Sequence, residues 1–301
     1  MRILIFLVIH FAANILLGQQ KMGLCSSIFN DINISSRDPW VQSMFKLPID
    51  ELKQIGYNEL GFSEEMIKIF VKFKKSGIGM NMANGANNDG IYIATTTHGK
   101  LYLKKIRVNY TFDVDTFHQQ AAAALVLSQL GLGPKTGIYF SSAEASSIKS
   151  KTKSLLPSRF EESPKDAYII MREGVGVPLP GSKFWKWDMI SPRDQEKAQN
   201  YIKNRIEADL NKNFSDFDTA YKAWTETMLN HPGLKQKILD ASVLLEQFGI
   251  GGFDVEILLS TKGDGQVTII DTTSVVPVEV NTPQKSLGAM LRKFYESIIS
   301  H

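Results

Sequence analysis

Short apolar runs folded back on themselves by glycine-marked turns constrain this chain more than any other feature. Ile91-Tyr92-Ile93-Ala94 and Leu101-Tyr102-Leu103-Lys104-Lys105-Ile106 are joined by a threonine-rich link ending in His98-Gly99-Lys100, which predicts a β-hairpin. Ile257-Leu258-Leu259 and Val267-Thr268-Ile269-Ile270 flank Lys262-Gly263-Asp264-Gly265 and predict another. Ile138-Tyr139-Phe140 and Tyr168-Ile169-Ile170-Met171 read as a further strand pair, separated by a long loop rich in Ser and Lys. Helical blocks stand between and after these strands. Phe117 to Leu130 contains four consecutive alanines and closes on Gly131-Leu132-Gly133-Pro134, a glycine stop with a proline just beyond. Pro192 to Leu210, Phe217 to Leu229, Leu234 to Phe248 and about Ser286 to Ile299 complete the helical set. Locally paired strands mixed with helices predict an α+β fold.

Such a fold must be held by its apolar core, because Cys25 is the only cysteine in 301 residues and no intrachain disulfide can form. The 43% of hydrophobic residues is enough for one large domain or two lobes sharing a cleft. A formal net charge of +3, from 34 basic and 31 acidic residues scattered through the chain, leaves no electrostatic footprint for nucleic acid. The one local basic run, Lys68, Lys72, Lys74 and Lys75, accompanies a helical stretch from Glu64 and reads as a solvated helix face. Ser63 followed by two acids marks the start of that helix.

At the N-terminus, Arg2 precedes the apolar run Ile3 to Ala13, and Gly18 supplies a small residue. This is the pattern of a cleaved secretory signal over residues 1–18, with a buried strand or an uncleaved anchor as the alternatives. Cleavage would leave a secreted chain with no stable membrane anchor. Three glycosylation sequons begin at Asn33, Asn109 and Asn213. Residues 19–75 then form a helical extension ahead of the first hairpin.

A Gly- and Asn-rich turn, a hairpin with a lysine on its second strand, a helix, two more strands, a helical region and a final hairpin ending in aspartate follow one another over about residues 77–273. This order resembles the protein-kinase-like superfamily. The resemblance implies a small antiparallel-sheet lobe over residues 76–173 and a reduced helical lobe over 174–301, with ATP and Mg2+ or Mn2+ held between them. Within it, Gly85 and Gly90 would cover the phosphates, and Lys104 would pair with them. Strand alternation would then turn Lys105 to solvent. Met171 and Glu173 would lie at the hinge beside the base. Asp271 and Glu256 would hold the metal, since magnesium takes hard oxygen ligands, and Asp254 would be the catalytic base. The shortness of the chain after Asp271 resembles the minimal kinases among secreted bacterial effectors.

The sequence also departs from that family. Gln120 stands where a carboxylate would hold Lys104, the family's usual histidine just before the aspartate is missing at Asp254, and Glu256 replaces an expected asparagine after a shortened loop. Three readings follow. The first is a secreted minimal protein kinase acting on a protein hydroxyl, with a small-molecule acceptor as a variant of it. The second is a catalytically inactive pseudokinase that binds a partner. The third is a binding protein without a nucleotide site, using the aromatics of Phe184-Trp185-Lys186-Trp187, for which core packing is the competing role.

Overall fold

The computed structural model describes residues 39–76, 88–106, 114–142, 164–179, 192–252, 255–272, 275–277 and 286–299. The N-terminal apolar run, Gly85, Asp254 and the aromatics at 184–187 lie outside these residues. All of the described residues fall in a single compact unit.

The fold is mixed α+β with an antiparallel sheet. Among the described residues three short helices come first: α1 (Pro39–Met44), α2 (Ile49–Leu60) and α3 (Glu64–Lys72). The Ser63 hydroxyl caps α3 by accepting from the Met66 amide, as the sequence predicts. Five strands follow: β1 (Lys75–Ser76), β2 (Asn88–Thr96), β3 (Gly99–Ile106), β4 (Thr136–Ser142) and β5 (Pro164–Arg172). The helix α4 (Val114–Gln129) lies between β3 and β4 in the chain. The strands assemble in the order β1-β2-β3-β5-β4, each neighbouring pair antiparallel.

Alternation along the strands gives this sheet two different faces. Leu101, Leu103, Tyr168 and Ile170 form one cluster with Tyr57, Leu60, Ile67 and Val71, so α2 and α3 cover that side. Ile106, Ile138, Ala167 and Ile169 join the larger core with the buried alanines of α4. Short side chains at Ala121 to Ala124 let α4 be buried closely against its neighbours from Gln120 to Leu127, because a helix of bulkier residues would hold its neighbours further off. His118 of α4 lies 2.6 Å from the Leu47 carbonyl through Nε2. A carbonyl only accepts, so the ring carries a proton there.

After β5 the chain crosses through residues 173–176 to a short strand, β6 (Val177–Pro178), and then to helices α5 (Pro192–Leu210), α6 (Phe217–Leu229) and α7 (Pro232–Gln247). The sequence places the start of α7 at Leu234; Pro232 at the first turn extends it, with the His231 ring accepting from the Leu234 amide. β7 (Ile250–Gly251), β8 (Ile257–Ser260), β9 (Gln266–Ile269), β10 (Val276–Pro277) and α8 (Leu287–Ile299) complete the fold. β6, β8 and β9 form a three-stranded antiparallel sheet. Asp209 of α5 is buried and accepts from the Trp224 indole at 3.1 Å and the Thr261 amide at 2.9 Å. One carboxylate thus ties α5, α6 and the β8–β9 turn together. Among the described residues, no helix is long and apolar enough to cross a membrane.

Candidate functional site

Lys104 and Asp271 are far apart in sequence and close in space. Lys104 sits in β3, flanked by Ile91 of β2 and Ile169 of β5. Its side chain is on the face opposite Leu103 and is 8% exposed. Its Nζ lies 3.2 Å from Asp271 Oδ1. A lysine enters such a dry position at a desolvation cost, which a close carboxylate offsets. Neighbouring Lys105 turns the other way, as alternation predicts. It is half-buried there and paired with Asp166 at 3.1 Å, so it does not simply face solvent.

Backbone hydrogen bonds fix where Asp271 stands. Just before it, the Ile269 amide donates to Leu132 O at 2.6 Å and the Ile270 amide to Glu256 O at 2.9 Å. Just after it, the Thr272 hydroxyl donates to Gln120 O at 3.2 Å. The Gln119 side-chain amide also donates to Val275 O. The turn after α4, the β8 segment and α4 itself therefore converge on this residue. Glu256 is buried beside the same segment. Gln120 is fully buried, and neither atom of its side-chain amide has a hydrogen-bond partner. Two carboxylates, Asp271 and Glu256, come from adjoining segments, while no group of three metal-binding side chains is present among the described residues.

Gly90 lies in β2 beside an irregularity in the β2–β3 register and has φ 110°, a conformation open to glycine and strained for other residues. Met171 is inside the sheet, between Tyr102 of β3 and Thr136 of β4. Glu173 begins the crossing segment and accepts from the Tyr102 hydroxyl at 3.0 Å.

No protein-family model, curated protein or solved structure matches this chain.

Arg205, on α5, is a contributor that the sequence reading missed. Its guanidinium donates to the carbonyls of Gly174 and Gly176 and, at 3.1 Å, to the Tyr201 hydroxyl. It therefore clamps the segment running from the five-stranded sheet to the helices. The same segment packs tightly on the hairpin: a Cβ on Gly176 would come within 2.6 Å of Leu259 O, and one on Gly174 within 2.8 Å of Ile270 Cγ2. Two glycines close together after an apolar strand were the available signal; the arginine that grips them carries none.

Proposed function

We propose that this chain is a minimal, secreted, kinase-like phosphotransferase that moves the γ-phosphoryl group of ATP to a protein hydroxyl. The Lys104–Asp271 ion pair carries this reading. It joins a lysine on the third strand of an antiparallel sheet to an aspartate just after a distant hairpin. Phosphoryl transfer needs this pairing of a cation for phosphate with a carboxylate for metal, since its chemistry is mostly positioning and charge neutralisation. The strand order β1-β2-β3-β5-β4, with a helix between β3 and β4, supports a two-lobed kinase-like architecture.

Lys104 would hold the phosphates against the sheet, and the segment following Met171 would receive the base. Asp271 and Glu256 would hold Mg2+ or Mn2+, which supplies charge neutralisation at the phosphate oxygens. Asp254 would accept the proton of the acceptor hydroxyl as its oxygen bonds to phosphorus and the bond to ADP breaks. The apolar leader of the sequence supports export.

Gln120 favours a second reading, an inactive nucleotide-binding pseudokinase with a protein partner. Its amide forms no ion pair with Lys104 and is buried without a partner, while Lys104 is already engaged by Asp271.

The test is transfer of labelled phosphate from ATP with magnesium or manganese to a generic protein acceptor and to the chain itself, with Asp271→Ala alongside. Transfer that disappears in the variant is the expected outcome. Metal-dependent nucleotide binding without transfer would select the pseudokinase reading, and absence of both would remove the nucleotide site.

A further inference from the structure

Four large apolar residues stand out as exposed among the described residues, and three belong to one helix and its cap: Met66 at 40%, Ile69 at 52% and Phe73 at 68%. Spacings of three and four residues put them on one stripe. The helix already spends a different stripe, Ile67 and Val71, on the sheet. It is therefore apolar on two sides, and among the described residues only one of them is covered. An exposed apolar stripe of this kind marks an interaction surface.

Charge is arranged along the same helix with a direction. Both acids, Glu64 and Glu65, stand at its start, and Glu64 is occupied by Lys53 at 3.0 Å and Lys68 at 3.2 Å. Toward its end, Lys72 is exposed with its Nζ 5.5 Å from the Phe73 ring centroid, and Lys75, which opens β1 two residues after Phe73, is exposed as well. Lys74 turns inward instead. It donates to Val71 O at 2.9 Å and lies over the Tyr92 and Tyr168 rings. The outward-facing end of α3 is thus an aromatic and an isoleucine with exposed Lys72 alongside and exposed Lys75 just after it in the chain.

We infer that the C-terminal half of α3 is a reversible docking face for an anionic phospholipid surface. Phe73, Ile69 and Met66 enter the boundary between headgroups and acyl chains, while Lys72 and Lys75 extend along their stems to the lipid phosphates. Each surface lysine adds attraction to an anionic leaflet, and salt screens it. A protein partner fits less well, because lysine is depleted at the centre of protein interfaces, and here Lys72 adjoins Phe73, the most exposed of the large apolar side chains among the described residues. This inference is independent of the phosphotransferase reading.

Co-sedimentation of the full chain with phosphatidylcholine vesicles, with and without about one-third phosphatidylserine, tests it. Binding is expected on the anionic vesicles only. It should weaken about tenfold in Phe73→Ser/Ile69→Ser, and by a similar factor in Lys72→Glu/Lys75→Glu or at high salt. These side chains are exposed, so an unchanged thermal midpoint verifies that the variants fold. The inference is overturned by any of three results. One is no binding to anionic vesicles. Another is binding indifferent to both double variants. The third is self-association, without vesicle binding, that Ile69→Ser abolishes, since a second copy would then cover the stripe.

Discussion

Gln120 concentrates the question of what this site does. A fully buried amide with no hydrogen-bond partner forfeits its bonds to water and gains nothing in exchange. Replacing it with an apolar side chain of similar length should therefore help the fold. Gln120→Met is expected to stabilise the chain by about 1–2 kcal/mol, read from the urea midpoint at unchanged m-value. A lower midpoint would show that a bound water or ligand serves the amide. Glu64 offers a second test. The Lys53 hydrogen bond, foremost, holds its carboxyl below the usual range; burial opposes it, and the Lys68 hydrogen bond adds to the lowering. Its folded value lies below its unfolded one, so its contribution is full above the unfolded value and is lost as pH falls through the folded one. Because Glu64 is more than a third exposed, water screens the pair, and Glu64→Gln should cost only about 0.3–1 kcal/mol at neutral pH. That difference should vanish in thermal melts taken well below the carboxylate range.

At the scale of elements, the close approach of α2 to β4 depends on two glycines facing one another. A Cβ on Gly56 would lie 2.6 Å from Gly137 Cα, and one on Gly137 would meet Leu60 Cδ1 at 2.5 Å. Alanine is the better helix former by up to about 1 kcal/mol, but backbone cannot yield at that distance. Gly56→Ala is therefore expected to destabilise by about 1–3 kcal/mol in urea melts, with the clash outweighing propensity. Elements of this kind were largely legible in the sequence. The β2–β3 and β8–β9 hairpins were visible because their turns need glycine, with Gly99 at φ 101° and Gly265 at φ 83°. Likewise α4 was visible from its alanines and glycine stop. Contacts that depend on packing were not. Asp209, which gathers donors from Trp224 and Thr261, reads as one more surface acid on a helix. The Gly56–Gly137 contact, too, leaves no local trace. Lys104 and Asp271 were singled out as candidates from the order of elements, and what the sequence could not show is that they pair with each other.

At the scale of the whole molecule, residues 173–176 are the covalent connection from the five-stranded sheet to the helices after it. Arg205 engages both Gly174 O and Gly176 O there, and Glu173 is 3.9 Å from the same guanidinium while accepting from Tyr102 of β3. The crossing is therefore gripped from α5 and from the sheet together. A guanidinium spans two carbonyls because its donors are fixed in a planar fork, whereas an ammonium is a single point. Arg205→Ala leaves both carbonyls without this donor and should cost about 1.5–3 kcal/mol in urea melts. Arg205→Lys should recover only part of that. Loss of stability alone would fit any buried contact, so the telling measurement is hydrogen exchange at residues 173–178. Exchange there should quicken in Arg205→Ala while β2, β3 and α7 keep their protection, because the clamp acts on the crossing and neither core rests on it. A uniform rise over the whole chain would instead mean that Arg205 supports the fold at large, and that the crossing is held by its packing on Leu259 and Ile270.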